Sequence, residues 1–272
     1  MPALNEISPH QLNRLIGTPD APVLFDTRID QDFAQDPQLI PGAIRCAHTD
    51  LPAMQRRLAQ RNTDKAVVYC QKGRKISHGV AALLRQSGQQ VEVLEGGQFA
   101  WRDAGLPMIS GQLDLPRDPS GATRWVTRHR PKIDRIACPW LIRRFIDTEA
   151  QFLFVPPQDV SLVAEKFNAT PFDVEDVQFS HRGESCTFDT ILQDFGLHSD
   201  ALTQMATVIR GADTNKHDLA PQAAGLLALS TGLSRMYRDD IAQLDAGMLL
   251  YDALFRWARD AMSEGHDWPQ AR

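Results

Sequence analysis

A chain of 272 residues with 43% hydrophobic content can bury two ordinary cores, and its composition changes near residue 113. The formal net charge of −5 divides unevenly, with 12 Lys and Arg against 11 Asp and Glu in residues 1 to 113 and 17 against 23 in residues 114 to 272. Neither half has the basic excess of a nucleic-acid binder, and no apolar run reaches the roughly 18 residues of a membrane span, so neither partner is expected.

The N-terminal stretch Met1 to Glu6 lacks the charged and apolar regions of a signal peptide, which points to a cytoplasmic protein. Cys46, Cys70, Cys138 and Cys186 are far apart and form no C-x-x-C pair, so a disulfide framework is not expected. In chain order, Ser8 to Leu15 reads as a short amphipathic helix with Ser8 as its N-cap and Pro9 at its first position. Pro22 to Arg28 reads as a strand ending in charge. Asp26 and Arg28 fall on one face of it, either as a structural ion pair or as groups that address a bound substrate. Leu39 to Ile44 is a turn into another short strand.

Ala66-Val67-Val68-Tyr69 then reads as a buried strand that ends on Cys70. A six-residue loop, Cys70-Gln71-Lys72-Gly73-Arg74-Lys75, hands over to a helix with Val80, Leu83 and Leu84 on its apolar side. In a strand-loop-helix unit the loop N–H groups and the helix dipole converge on one spot, which becomes a cradle for an anion. Lys72, Arg74 and Lys75 place three cations within five residues of the thiol, and together these features are expected to lower its pKa below the free value of about 8.5. Cys46 has no such company and reads as inert. Gln90 to Gly97 is a further strand closed by a glycine pair, and Trp101 to Leu106 ends the unit before Pro107. Alternating strands and helices of this length imply a largely parallel α/β sheet.

Asp26-Thr27-Arg28, Ile40-Pro41-Gly42-Ala43, the Cys70 loop, Leu94-Glu95-Gly96-Gly97, Trp101 and Gly105-Leu106-Pro107 together resemble a single rhodanese domain over nearly all of residues 1 to 110. The resemblance implies a central parallel sheet flanked by helices and a sulfurtransferase in which Cys70 accepts a sulfane sulfur from a thiosulfate-like donor. The persulfide then passes its sulfur to a thiol or other thiophilic acceptor, with Gln71 to Lys75, Asp26 and Arg28 as substrate-binding residues and no cofactor required. The six-residue loop matches sulfur-transferring members, whereas related phosphatases and arsenate reductases carry seven. Two positions depart from the pattern: Lys75 stands where an Arg is usual, and Ile76 where a small polar residue often follows.

Residues 114 to 122, polar with two prolines and a glycine, read as an interdomain linker between residues 1 to 113 and 123 to 272. Beyond it, Arg124 to Arg128 reads as a strand and Ile136 to Phe145 as an amphipathic helix that Pro139 starts or kinks. Gln151 to Val155 is a strand stopped by Pro156-Pro157, and Phe172 to Phe188 reads as extended. Helices are expected over 201–210, 220–230, 233–241 and 249–262, which makes this half an α+β domain with a mostly helical C-terminal block.

Three polar clusters stand out in this half. With Arg182-Gly183 as a two-residue hairpin turn, His181, Glu184 and Cys186 share one face, either as metal ligands or as a polar hairpin tip. Asp213 and His217 are four apart and share a face in a helix, while Asp218 suits an N-cap. The basic run Arg128 to Arg135 contains Asp134 and leads into a helix. His181, Glu184, Cys186, Asp134, Asp213 and His217 are therefore expected in one pocket, holding a divalent transition metal. Arg130 to Ile142, Phe152 to Pro156, Pro171 to Val174, His181 to Phe188 and Asp218 to Pro221 resemble the C-terminal domain of ChrB-type chromate-resistance proteins. That resemblance implies a setting of chromate or oxyanion stress, not a reaction. The alternative to a sulfurtransferase is a sensor that binds an oxyanion, metal or persulfide without turnover.

Overall fold

The computed structural model describes residues 5–265. Its first half runs β1 (Glu6–Ile7), α1 (Pro9–Leu15), β2 (Val23–Asp26), α2 (Asp30–Gln35), β3 (Gln38–Leu39), β4 (Ala43–Arg45), α3 (Leu51–Gln60), β5 (Lys65–Tyr69), α4 (Lys75–Gln86), β6 (Gln90–Leu94), α5 (Gly97–Asp103) and β7 (Ile109–Ser110). Ser8 accepts from the Gln11 N–H and the Gln11 side chain accepts from the Ser8 N–H, so a capping box starts α1 with Pro9 at its first turn. Five strands form a parallel sheet in the order β1-β6-β5-β2-β4, with β5 at its centre.

Strand periodicity divides these residues between two faces. Val23, Phe25, Ala66, Val68, Val91 and Val93 pack on Met54 and Leu58 of α3 and on Val80, Ala81 and Leu84 of α4. Leu83, expected with that set, is 47% exposed. One helical step turns it about 100° from Leu84 and off the Val80–Leu84 stripe.

The second half adds β8 (Arg124–Arg128), α6 (Asp134–Leu141), β9 (Gln151–Val155), α7 (Val160–Phe167), β10 (Thr170–Pro171), α8 (Thr187–Phe195), α9 (Asp200–Asp213), α10 (Ala223–Met236) and α11 (Asp240–Arg256). β10, β8 and β9 form a small parallel sheet. Pro139 lies inside α6, which passes into a π-helical turn over Ile142–Ile146. The expected extended stretch over 172–188 is instead a folded loop with bridges Phe172↔Phe179 and Arg182↔Ser185, and α8 begins at Thr187. The expected helix over 233–241 is also divided: Tyr237 is extended, and Asp239 caps α11 by accepting from the Ala242 N–H at 2.7 Å. Among the described residues, no helix is long and apolar enough to cross a membrane.

The other face of the five-stranded sheet is continuous with the core of the second half. Leu12, Ile16, Leu24, Val67, Tyr69, Leu94 and Trp101 belong to the same buried cluster as Trp140, Phe145 and Phe255. Residues 114–122 are ordered where they cross between the halves: the Asp118 carboxylate accepts from Ser120 and Ala122 N–H groups, and Leu115 packs on the common core. Gly17 sits at that junction with φ +79°, where an added Cβ would lie 2.3 Å from Phe145 Cζ and 2.9 Å from Phe255 Cε1. Calorimetry should therefore record one cooperative transition for both halves. Gly17→Ala, which combines backbone strain with crowding, should cost about 1–3 kcal/mol and lower the midpoint by several degrees. Two separate transitions, with only one of them moved by the substitution, would contradict the shared core.

Candidate functional site

Tyr69 closes β5 in full burial and Cys70 follows at 5% exposure, so the thiol sits at the bottom of the loop that leads into α4. The loop is seated on the glycine pair after β6. The Gln98 N–H donates to Cys70 O and the Phe99 N–H to Gln71 O, both at 3.0 Å. A Cβ on Gly97, whose φ is +62°, would stand 2.2 Å from Cys70 O and 2.3 Å from Gly73 N. A Cβ on Gly73 would in turn stand 2.5 Å from Gly97 N and from Leu94 O. Both positions therefore require the missing side chain, because backbone meets backbone there.

The Cys70 Sγ lies 3.4 Å from Ser77 Oγ, and that hydroxyl is also within 3.1 Å of Arg74 O. Burial pushes the thiol pKa up. The Ser77 hydroxyl and the N–H groups of Arg74, Ser77 and Lys72 pull it down, and the net shift is downward. Lys72, Arg74 and Lys75 are exposed on the rim. The expected depression is present and the loop N–H groups contribute to it as expected, but Ser77 leads the lowering causes and the three rim cations are not among the principal ones. Ser77 was missed, although its place two residues into α4 is legible: helical side chains lean toward the N-terminus and so back onto the loop.

Asp26 and Arg28 form the structural ion pair, the first of the two alternatives, and their full burial corrects the assignment as substrate-binding groups. Their side chains are fully buried and joined at 2.6 Å. The remaining guanidinium N–H groups donate to Asp36 O at 2.8 Å and Gln38 O at 2.7 Å, so the fork fastens the chain after β2. Gln71 is half-buried, with its amide 3.2 Å from Gln35 Oε1. Burial, with Asp50 beside it, pushes the Cys46 thiol up, in keeping with an inert group.

A second constellation forms in the C-terminal half. Asp134 opens α6 in complete burial; its Oδ2 accepts the Thr187 N–H at 2.6 Å at the start of α8, and its Oδ1 has no hydrogen-bond partner. Asp173 Oδ1 accepts the Thr187 hydroxyl at 3.1 Å, while its Oδ2 faces Arg128 at 3.1 Å and Arg135 at 3.2 Å. His181 Nε2 lies 3.1 Å from Asp213 Oδ2, 3.6 Å from Asp173 Oδ1 and 3.7 Å from Asp134 Oδ2. The carboxylates of Asp173 and Asp213 push the imidazole pKa up to about 10. Burial, then the charges of Asp213 and Asp173, raise that of Asp134 well above the carboxylate range.

Three of the six expected ligands thus converge, and three do not. The Arg182↔Ser185 pair puts the tight turn at Gly183-Glu184, one residue later than expected. A one-residue slip exchanges the faces. Glu184 accordingly points to solvent and pairs with Lys216 at 2.8 Å, whereas Cys186 is buried as the N-cap of α8 with its thiol pKa raised. His217 is exposed in a 3-10 turn beyond the end of α9. Asp173, which joins the group, lies in the Pro171 to Val174 segment and is not among the expected ligands.

Residues 8–104 match the rhodanese-like domain, and residues 125–258 match the ChrB C-terminal domain. The chain joins these two domains. Protein ChrB of Cupriavidus metallidurans is 29% identical over 196 residues, covering 67% of this chain and 59% of that protein, so the chain spans less than two thirds of that relative. A sulfurtransferase of Allochromatium vinosum is 29% identical over 108 residues, 39% of this chain and 96% of that protein. The structure of a rhodanese-related protein from Thermoplasma volcanium aligns at 23% identity with a TM-score of 0.32, covering 39% of this chain and 97% of that one.

Within the rhodanese-like domain, the contact between the loop and Gly97 generates a direct expectation. Gly97→Ala should displace the backbone of Cys70 and Gly73, cost more than about 1 kcal/mol and slow iodoacetamide alkylation of Cys70 at neutral pH. Alkylation at the wild-type rate in a variant of lowered stability would detach the seat from the reactivity of the thiol.

Proposed function

We propose that the rhodanese-like domain is a sulfurtransferase that works through a persulfide on Cys70, with thiosulfate or a similar sulfane as donor. The observation that carries this reading is the thiol of lowered pKa at the base of a six-residue loop, in reach of the Ser77 hydroxyl and of loop N–H groups. The thiolate attacks the outer sulfur of the donor; the donor S–S bond breaks and its electron pair leaves with sulfite. The donors that held the thiolate then face the persulfide sulfur, and rim cations meet the departing anion. A thiol acceptor next attacks the outer sulfur of the persulfide and returns Cys70 to its thiolate, so the cycle needs no external oxidant. The likeness to an Allochromatium sulfurtransferase supports the reaction class. Fusion to a ChrB C-terminal domain supports a role in chromate or oxyanion stress. The free cysteines suit the reducing cytoplasm.

A second reading, a persulfide or oxyanion sensor without turnover, draws on the 5% exposure of Cys70, which narrows access for a bulky acceptor. A thiosulfate:cyanide assay separates the two. Wild type should turn over, Cys70→Ser should be silent, and Ser77→Ala should lose about tenfold in kcat/KM, the size of one hydrogen bond to a charged sulfur. Lys75→Ala should raise KM more than it lowers the melting temperature. A wild type that forms the persulfide but yields no thiocyanate favours the sensor; full turnover in Cys70→Ser removes Cys70 from the reaction.

A further inference from the structure

Sulfur transfer at Cys70 makes no use of the four side chains that meet in the ChrB C-terminal domain. They come from separate places in the chain: Asp134 from the first residue of α6, Asp173 from the turn after β10, His181 from the loop before α8, and Asp213 from the last residue of α9. One ligand atom each from Asp134, Asp173 and His181 lies within 4.8 Å of the others, and Asp213 Oδ2 is 3.1 Å from His181 Nε2. Bonds of about 2.0–2.2 Å to a common ion set neighbouring donors about 3–4 Å apart, and the three distances from Nε2 fall in that interval.

Hydrogen bonding within the group leaves it incomplete. The Nε2 atom carries at most one proton, which serves Asp213; at 3.6 and 3.7 Å, Asp173 and Asp134 lie beyond hydrogen-bond range. Asp134 is 0% exposed and its Oδ1 has no partner, neither a donor to a carboxylate nor an acceptor for a carboxyl proton. A buried carboxylate oxygen left in this way is costly. A cation between the four groups would ligate the Asp134 carboxylate and replace repulsion among three carboxylates with attraction.

We propose that Asp134, Asp173, His181 and Asp213 bind one divalent metal ion of the oxygen-preferring first-row class, represented by Mn2+. Three carboxylates and one imidazole select such an ion over thiolate-seeking metals, and the buried thiols of Cys138 and Cys186 lie outside the ligand set. Outer partners already orient the ligands: Thr187 on Asp134 and Asp173, and Arg128 with Arg135 on Asp173. The His181 side chain is 41% exposed, so the site opens to solvent on its side. That opening leaves coordination positions for water, while the carboxylates repel a bare oxyanion.

The test uses the full chain, stripped with a chelator and titrated with MnCl2 while the free aqua ion is followed by electron paramagnetic resonance. Wild type should bind one equivalent, and His181→Ala and Asp213→Asn, both on the solvent side of the group, should each weaken binding at least about tenfold. Melting curves confirm that the variants fold, and Asp134→Asn, which keeps an oxygen for the Thr187 N–H, provides a third substitution. Cys70→Ser should bind Mn2+ as wild type does, so a failure of sulfur transfer and a failure of metal binding stay distinguishable. No Mn2+ bound by wild type, or binding unchanged in both His181→Ala and Asp213→Asn, would overturn the assignment and leave His181, with Arg128 and Arg135, as the counter-cations of the group.

Discussion

The loop of the rhodanese-like domain turns on lowering the pKa of a thiol that is almost shut off from water. At 5% exposure, burial opposes ionisation of Cys70, and only groups fixed within hydrogen-bond reach can offset that cost. Those groups are the Ser77 hydroxyl and N–H groups of the loop, so the chemistry depends on the shape of a backbone. That shape depends in turn on contacts a side chain would destroy, the approach of Gly73 to Gly97 and of Gly97 to Cys70 O. β5, buried on both faces at the centre of a parallel sheet, fixes where the loop begins, and α4 fixes where it ends. The exposed lysines and arginine stand at the rim of the loop, where the proposed reaction would bring an anionic donor and release an anionic product.

The C-terminal domain also buries negative groups, here carboxylates. Asp134 is brought into full burial by a backbone that passes through φ +39° at Ile133, an unfavourable region for a β-branched residue, with the Ile133 carbonyl held by the Tyr251 hydroxyl at 3.1 Å. Asp173 also has a left-handed backbone, at φ +52°. Two aspartates set by uncommon geometry, and a histidine turned toward both, describe a place organised for charge. The shared core beneath ties this domain to the other face of the rhodanese-like sheet, through Trp140, Phe145 and Phe255 on one side and Val67, Tyr69 and Leu94 on the other.

Much of the first domain was legible in the sequence because its signals are local. Ser8 with Pro9 starts a helix, the apolar runs Val23 to Phe25 and Ala66 to Tyr69 mark buried strands, and a cysteine at a strand end before a short basic loop marks the site. What escaped was three-dimensional. Asp26 and Arg28 read as a pair on one face, but only the fold shows the guanidinium also donating to the Asp36 and Gln38 carbonyls. Ser77 read as part of a helix because its role appears only when that helix is placed behind the thiol. In the second domain the turn falls one residue later than expected, which leaves both Glu184 and Cys186 out of the group while His181 still reaches Asp134 and Asp213. No local pattern announces Asp173 as a partner of Asp134, since 39 residues of chain separate them.

Neutral donors, not rim cations, lead the lowering of the Cys70 pKa, and the pH profile of Cys70 alkylation in low and high salt tests this most directly, with the modified site identified by peptide mass mapping. The midpoint should lie below the free thiol value of about 8.5 and stay in place as salt rises, because salt screens exposed charges and leaves buried hydrogen bonds nearly untouched. A midpoint at or above the free value, or one that climbs toward it with added salt, would contradict the account.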